Sequence, residues 1–284
     1  MGTYENCYDI LADVRRDINE YSEAYVQGAD EGSFSNELII QKINLAQFFI
    51  FNLLFQRKPH LFRKTVELTA VDSVFTLPAD FARLEWFKDD LGTPVKEIGV
   101  ADITPYGSSE ISYYRAGNTL VLEKSGSTKT YTLYYTWKPR KIFSGKSTAG
   151  GAASITFPTV ASKTVDYYNG MLIENKTQDW VDTITDYSTS RVATILETAA
   201  QDDYFGIVPE IPDMFHHLIA PKASMLLRLS SPLAQTRVTK AEADSYWEDL
   251  VETYRAYAGS SGDQDLAEVF QDFTIGNPVL GIVV

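Results

Sequence analysis

Apolar side chains recur at steps of three and four along two segments near the start of the chain. The first stripe spans residues 4–25 and predicts a single helix that ends at Gly28. The second spans residues 39–53 and predicts a longer helix, which Ser33 or Ser35 can cap and which Pro59 ends. Each helix has one apolar face, so each needs a partner that buries it.

Shorter apolar runs follow and indicate β-strands. They cover residues 65–69, 74–77, 111–115, 120–122 and 131–137, with a Gly117-Asn118 turn between the third run and the fourth. Residues 80–87 read instead as a helical turn or a short helix. We therefore expect an antiparallel β meander over residues 64–143.

A run of small residues at 144–154 has the composition of a linker, and the pattern changes after it. Short β runs cover residues 155–157, 171–173, 183–187 and 191–196. Asn169-Gly170 is a strong turn signal, and Pro209 and Pro212 close the segment. These features predict an inserted small β domain over residues 144–208.

Helical periodicity returns after this segment. It predicts one helix over residues 214–229, kinked at Pro221, and another over residues 234–258. The predicted fold class is α+β: a four-helix bundle with an antiparallel β meander and an inserted small β domain. The expected domains are the two halves of the bundle at 1–63 and 209–258, the meander at 64–143, the insert at 144–208 and an extended C-terminal arm at 259–284.

The C-terminal arm begins with an acidic stretch and ends in apolar residues without charged side chains. Residues 259–262 read Gly-Ser-Ser-Gly, which is a hinge, and residues 273–284 contain no charged side chain. Exposed β-branched residues favour aggregation unless another surface covers them. We expect the arm to dock on another chain, by strand addition or by apolar plugs in a groove; the alternative is a final strand on its own domain. The candidate contact residues are Phe270, Phe273, Ile275, Val279, Leu280, Ile282 and Val283.

The charge of the chain argues against tight binding of nucleic acid. Its 38 acidic and 25 basic residues give a net charge of −13, whereas DNA wrapping depends on Lys and Arg. The surplus lies in residues 160–210 and 235–284, because each segment has nine acids and three bases. A plain alternative is that these acids only keep exposed faces soluble.

Cysteine content and hydropathy indicate a cytosol-like environment and no membrane. The one cysteine, Cys7, cannot form an internal disulfide, and the first residues do not resemble a signal peptide. The most apolar stretch, residues 38–55, is interrupted by polar side chains such as Lys42 and Asn44. It predicts a buried helix and no membrane span.

Motifs for catalysis and for metal binding are missing from the sequence. It has no phosphate-binding P-loop, no G-x-G-x-x-G and no G-x-S-x-G. Cys7 lies on an apolar stripe and is expected to pack, and His216-His217 are adjacent, so they cannot share one metal ion as an i, i+4 pair does. Asp179, Asp182 and Asp186 lack the spacing of a calcium loop. We predict no catalytic activity, no cofactor and no metal.

A basic block contrasts with the acidic average. Residues 124–146 carry six basic side chains and no acid, and Lys138, Arg140 and Lys141 lie at its centre. These three residues are candidates for contact with an acidic partner surface. A solvated loop is the alternative interpretation.

Several phrases resemble head-to-tail adaptor (connector) proteins of tailed bacteriophages. They are Ser33-Phe34-Ser35-Asn36-Glu37-Leu38-Ile39, Phe75-Thr76-Leu77-Pro78-Ala79-Asp80-Phe81, the hairpin phrases Tyr113-Tyr114, Gly117-Asn118-Thr119-Leu120 and Tyr131 to Pro139, and Val208-Pro209-Glu210-Ile211-Pro212. The insert phrases Asp166-Tyr167-Tyr168-Asn169-Gly170-Met171 and Arg191-Val192-Ala193-Thr194-Ile195 resemble a small β domain of phage structural proteins. Lys176-Thr177-Gln178-Asp179 stands where such a domain usually has a glycine pair.

The resemblance implies a structural role in the neck of a virion, assembled in the bacterial host cytoplasm. It implies a homo-oligomeric ring, commonly twelve-fold, beneath the portal protein and joined below to a tail or nozzle protein. Genomic DNA passes through the ring without specific binding, and the C-terminal arm reaches the portal. An acidic channel wall repels phosphate. The candidate channel-facing acids are Glu242, Asp244, Glu248, Asp249 and Glu252.

Two other classes of function stay open at this point. A carbohydrate-binding or depolymerising tail component would use the aromatic strands and the inserted β module, and Trp180 is its test residue. A nucleic-acid-binding protein is disfavoured by the charge.

Overall fold

The computed structural model describes residues 5–28, 32–69, 73–99, 111–122, 130–230 and 238–260. The helices in these ranges are α1 Cys7–Asp17, α2 Glu23–Val26, α3 Asn36–Arg57, α4 Ile219–Ser230 and α5 Lys240–Ser260, with 3₁₀ turns at Pro59–Phe62 and Asp213–Leu218. The first seven strands are β1 Arg63–Thr69, β2 Val74–Thr76, β3 Phe81–Lys88, β4 Lys96–Glu97, β5 Ser112–Ala116, β6 Thr119–Leu122 and β7 Thr130–Trp137. The other strands are β8 Ser144–Lys146, β9 Ala149–Gly151, β10 Ser154–Thr156, β11 Leu172–Asn175, β12 Trp180–Thr183, β13 Asp186–Tyr187, β14 Val192–Thr194 and β15 Tyr204–Ile207.

The chain divides into two compact units. The first consists of Met1–Ile50, Lys141–Lys163 and Asn169–Val284, and it contains α1, α2, α4, α5 and strands β8 to β15. The second consists of Phe51–Arg140 and Thr164–Tyr168, and it contains β1 to β7. The division into five domains by sequence stays a prediction.

The predicted four-helix bundle is wrong. The described residues are α+β overall but mostly β, with four small sheets and only a few helices. Helix α1 contacts α4 and also strands β8 and β15. Its stripe of Cys7, Ile10, Leu11 and Val14 is fully buried, and α1 packs on a sheet of the insert as well as on α4, where a bundle would use helices alone. Apolar periodicity reports that a face is buried and not which element buries it.

The first predicted helix is in fact two helices. Helix α1 ends at Asp17, and Asn19 has a left-handed backbone with φ of 58°, which a continuing helix does not allow. Ser22 then caps the short α2 by accepting a hydrogen bond from the Tyr25 N–H. Asparagine visits the left-handed region more readily than most residues, and this was the signal in the sequence.

Strands β1 to β7 form two sheets and not a meander. The sheet orders are β1-β7-β3 and β2-β6-β5-β4, and β4 runs parallel to β5. Only the β5–β6 hairpin, which turns at Gly117 with φ of 61°, follows the predicted local pairing. Residues 80–87 form strand β3, so the prediction of a helical turn is also wrong. Phe81 and Phe87 of β3 lie in the core. The pairing of β3 with β7 has two irregularities, so buried and exposed side chains do not alternate regularly along the strand.

Aromatic rings fill the core of this β unit. The Phe75 ring lies 5.4 Å from that of Phe87 and 5.2 Å from that of Tyr131, both in edge-to-face geometry. The buried Asp80 follows them in the Phe75–Phe81 phrase, and its carboxylate accepts hydrogen bonds from the Tyr135 hydroxyl at 2.9 Å and from Lys64 Nζ at 2.6 Å. Asp80 thus ties the turn before β3 to β7 and β1.

The inserted segment forms two four-stranded sheets, β12-β11-β15-β8 and β13-β14-β10-β9. The β11–β12 hairpin keeps regular antiparallel pairing although it lacks a glycine pair. The Asn175 side chain accepts hydrogen bonds from the N–H groups of Thr177 and Gln178, and Asp179 adopts a φ of 56°. An Asx turn at Asn175 therefore forms this hairpin turn without the glycine pair.

Helix α3 has the length and composition of a membrane span, but one face of it belongs to the protein core. Ile39, Ile43, Ala46 and Ile50 are fully buried, and the Ser35 side chain accepts a hydrogen bond from the Leu38 N–H at the helix start. The Asn44 side chain makes a reciprocal pair of 2.8 Å hydrogen bonds with the backbone of Ile142. A buried core helix, as the sequence predicts, accounts for this pattern.

Pro221 does not kink a helix. It lies in the first turn of α4, which begins at Ile219 after the 3₁₀ turn. The N–H groups in the first turn of a helix have no acceptor within the helix. A proline, which lacks this N–H, therefore removes no helical hydrogen bond at that position. The next helix, α5, begins at Lys240, six residues later than predicted, and residues 231–237 lie outside the described ranges.

Candidate functional site

The sequence nominates three groups of residues for contact with partners. The first group, the C-terminal arm with Phe270, Phe273, Ile275, Val279, Leu280, Ile282 and Val283, lies outside the described residues. The second group is the set of acids on α5, and the third is the basic block around Arg140.

The α5 acids share the exposed side of one helix. Asp244, Glu248 and Glu252 follow one another at steps of four and are exposed, and Asp249 is exposed beside them. The opposite side of α5 is buried through Tyr246, Leu250 and Tyr254. Helix α5 therefore presents an acidic stripe on its outer side.

Glu242 differs from the other four acids because it is bound within the fold. Its carboxylate accepts a 2.7 Å hydrogen bond from the Thr239 N–H, while the Glu242 N–H donates to the Thr239 hydroxyl, which is a capping box. Arg228 Nη1 of α4 also donates to it at 2.9 Å. The hydrogen bond from the Thr239 N–H, followed by that from Arg228, lowers the pKa of Glu242 to about 2. Glu242 starts α5 and fixes it to α4.

The three residues of the basic block have different environments. Lys138 and Lys141 are exposed, whereas Arg140 is buried and donates from Nη1 to the Tyr167 carbonyl at 2.9 Å. The Lys138 N–H donates to the Asp80 carbonyl at 2.8 Å. The block is thus a fixed segment with two outward lysines on either side of a buried arginine.

Cys7 and His216 both have structural environments. Cys7 is fully buried, and its burial raises the pKa of the thiol to about 12, so the thiolate that chemistry requires is not formed. His216 is also buried, with Nε2 at 2.8 Å from the Ile211 carbonyl, and burial lowers its pKa. His217 is exposed. In the described part of the chain, no group of three or more His, Cys, Asp or Glu side chains could hold a metal ion.

Asp182 and Trp180 make hydrogen bonds within the insert. Asp182 accepts hydrogen bonds from the N–H groups of Thr183, Leu196 and Glu197, so it anchors the loop after β14. Trp180, nominated for sugar stacking, is half-buried and donates from Nε1 to the Thr198 carbonyl at 3.0 Å.

A groove lies between the end of α1, the start of α4 and the start of α5. Its volume is about 560 Å³. Leu218, Pro221 and Met225 give it an apolar floor, and Asp17 and Asp249 lie on its lining. Asp249 therefore belongs both to the acidic stripe and to this groove.

Buried polar side chains on the helices were missed by sequence reasoning. Arg15 is fully buried and donates to the Phe34 carbonyl at 3.0 Å and to Asn36 Oδ1 at 2.5 Å, which fixes the chain before α3. Lys222 is buried with Nζ 3.9 Å from the centre of the Phe49 ring and 5.4 Å from that of Tyr246. The signal in each case was a charged residue on an otherwise apolar face.

A family model of SU10 adaptor proteins matches residues 6–265, nearly the whole chain. No curated protein matches the chain. The chain belongs to the SU10 adaptor protein family, which is a family of phage structural adaptors, and this confirms the resemblance to head-to-tail adaptors.

Proposed function

We propose that this protein forms a ring in the neck of a tailed-phage virion, beneath the portal, and joins the capsid to the tail. The ring contains twelve copies and lets genomic DNA pass through its centre. The observation that carries the proposal is the family match over residues 6–265, because it covers the helical parts and the insert together.

The acidic stripe of α5 supports the part of the proposal that concerns DNA. Asp244, Glu248, Asp249 and Glu252 are exposed on one helix, and residues 235–284 carry six more acids than bases. A wall of this sign repels phosphate and releases no counterions from DNA, so DNA slides past it without binding. In our proposal Asp244, Glu248 and Glu252 face the channel, whereas Asp249 also lines the groove beside α4 and takes part in a contact between copies.

The C-terminal arm carries the contact with the portal in this proposal. Its last twelve residues, 273–284, have no charged side chain, and they follow a Gly-Ser-Ser-Gly hinge. An apolar, β-branched segment of this kind suits strand addition or insertion into a groove of a partner. The tail-side partner, a tail or nozzle protein, binds elsewhere on the ring.

Deletion of residues 261–284 tests the role of the arm. We expect the shortened chain to lose association with the portal protein, measured by co-sedimentation, while its circular dichroism spectrum keeps the helical signal of the full chain. As a control of the same length, Asp263→Asn with Asp265→Asn removes charge from the arm and keeps its apolar end, and should bind as the full chain does. Unchanged portal association after the deletion would exclude this role of the arm.

A further inference from the structure

The groove between α1, α4 and α5 carries an uncompensated negative charge. Its charged side chains are Asp17, Glu242, Asp249 and Arg228, with His217 counted as neutral. The Nη1 atom of Arg228 pairs with the Glu242 carboxylate at 2.9 Å, so its single positive charge offsets one of the three acids. Asp17 and Asp249 therefore leave two negative charges over an apolar floor, which suits a lysine or arginine with its apolar stem and cationic end.

A buried polar atom beside the groove also lacks a partner. Tyr246 lines the groove and is 5 % exposed, and its hydroxyl makes no hydrogen bond with any residue that the structure describes. Burial raises the pKa of this hydroxyl, so it stays a donor. An unsatisfied buried donor costs about 1–3 kcal/mol. A peptide segment that enters the groove supplies carbonyl acceptors together with its cation.

The same chain presents a segment of matching chemistry. Residues 138–141 read Lys-Pro-Arg-Lys, with both lysines exposed and with Pro139 and Arg140 buried. The Lys138 N–H and the Arg140 guanidinium are each held by a backbone carbonyl, at 2.8 Å and 2.9 Å. A segment fixed in this way loses little conformational entropy when it docks.

We propose that the groove receives residues 138–141 of a second copy of this chain, with the Lys138 ammonium against Asp249. The groove and the segment are different surfaces of one chain, so the contact is head-to-tail and repeats from copy to copy. Such heterologous contacts close into rings when the rotation between copies allows it. This inference rests on the proposed ring and names two surfaces that join its subunits.

Charge reversal in the full-length chain tests the contact. Asp249→Lys and Lys138→Glu each place like charges opposite one another, which we expect to weaken self-association about tenfold or more in sedimentation equilibrium. The double variant restores the opposite charges and should associate as the wild-type chain does. A mixture of the two single variants should also recover, because alternating copies then meet with opposite charges at both contacts.

Matched controls separate this contact from effects of net charge. Asp186→Lys and Lys163→Glu make the same charge changes at exposed positions outside the groove and the segment, and should leave association unchanged. Equal effects of all four single variants, or no recovery in the double variant and the mixture, would overturn the contact and leave the ring standing. A wild-type chain that is monomeric at every concentration, alone and with the portal, would overturn the ring itself.

Discussion

Asn6 joins the first helix to the inserted segment through a single small side chain. Its Oδ1 accepts hydrogen bonds from the N–H groups of Tyr8 and Asp9, which caps α1, and its Nδ2 donates to Glu174 of β11 at 2.5 Å. Asn6 is fully buried, and the chain can approach so closely because residue 206 of β15 is a glycine. A cap and a sheet contact thus depend on the same side chain.

Gly206→Ala tests this close approach. A Cβ at this position would lie 2.7 Å from the Tyr8 backbone nitrogen and closer still to the Asn6 side chain, so backbone must move. We expect a loss of about 1–3 kcal/mol in the free energy of unfolding, measured with urea.

Gly145→Ala in the neighbouring strand β8 is the matched control. Its Cβ would meet only a ring carbon of Pro158 at 3.3 Å, so we expect a change of less than about 1 kcal/mol. Equal stability of the two variants would contradict the packing of α1 on this sheet.

Single residues were the hardest feature to predict from sequence. The burial of Cys7 follows from local pattern and is confirmed, and of the two predicted capping residues, Ser33 and Ser35, it is Ser35 that caps α3. Asp80, Arg15 and Asn6 owe their roles to partners in other elements. These partners are distant in the sequence, so the local pattern around each polar residue does not indicate what it contacts in the fold.

Helix α5 depends on Glu242 for its start and for its connection to α4. The pKa of this carboxyl falls from its ordinary 4.5 to about 2, chiefly through the hydrogen bond from the Thr239 N–H. Because the pKa is lower in the folded chain, the stabilisation is complete above pH 4.5 and is lost as the pH falls from 4.5 towards 2. The side chain is 40 % exposed, so its ion pair with Arg228 contributes less than about 1 kcal/mol.

Glu242→Gln tests this pH dependence. We expect the variant to unfold more easily than the wild-type chain at pH 7, by about 1 kcal/mol or less, and the difference to disappear near pH 2. Thermal unfolding across this range measures it. Glu248→Gln, at an exposed position of the same helix, should match the wild-type chain at every pH. A difference for Glu242→Gln that persists unchanged at pH 2 would contradict the role of its carboxylate.

At the scale of elements, the sequence predicts type better than pairing. The runs at 65–69, 120–122 and 131–137 are strands as predicted, and α3 and α4 are helices. The pairing of β1 with β7 joins residues 63–69 to 130–136, which no local signal indicates. Residues 80–87 were misread because two irregularities in the pairing of β3 with β7 interrupt the alternation that identifies a strand.

At the scale of the whole molecule, the net charge of −13 is a property of particular faces. The exposed acids of α5 form one such face, and the groove beside Asp249 joins it. The family and the structural-adaptor class could be predicted from sequence, because several short motifs occur in the order typical of the family. These motifs identify the family although the sequence does not reveal the topology of the fold. The four-helix bundle was wrongly predicted, since apolar helix faces do not state whether a helix or a sheet will cover them.

The most direct test of the central claim is the native mass and shape of the particle that the full-length chain forms with the portal protein. Native mass spectrometry gives the number of copies, and electron microscopy gives the shape. We expect a closed ring of twelve copies around an open channel, seated on the portal. A single bound copy, or a monomer that does not associate with the portal and instead binds glycans, would contradict it.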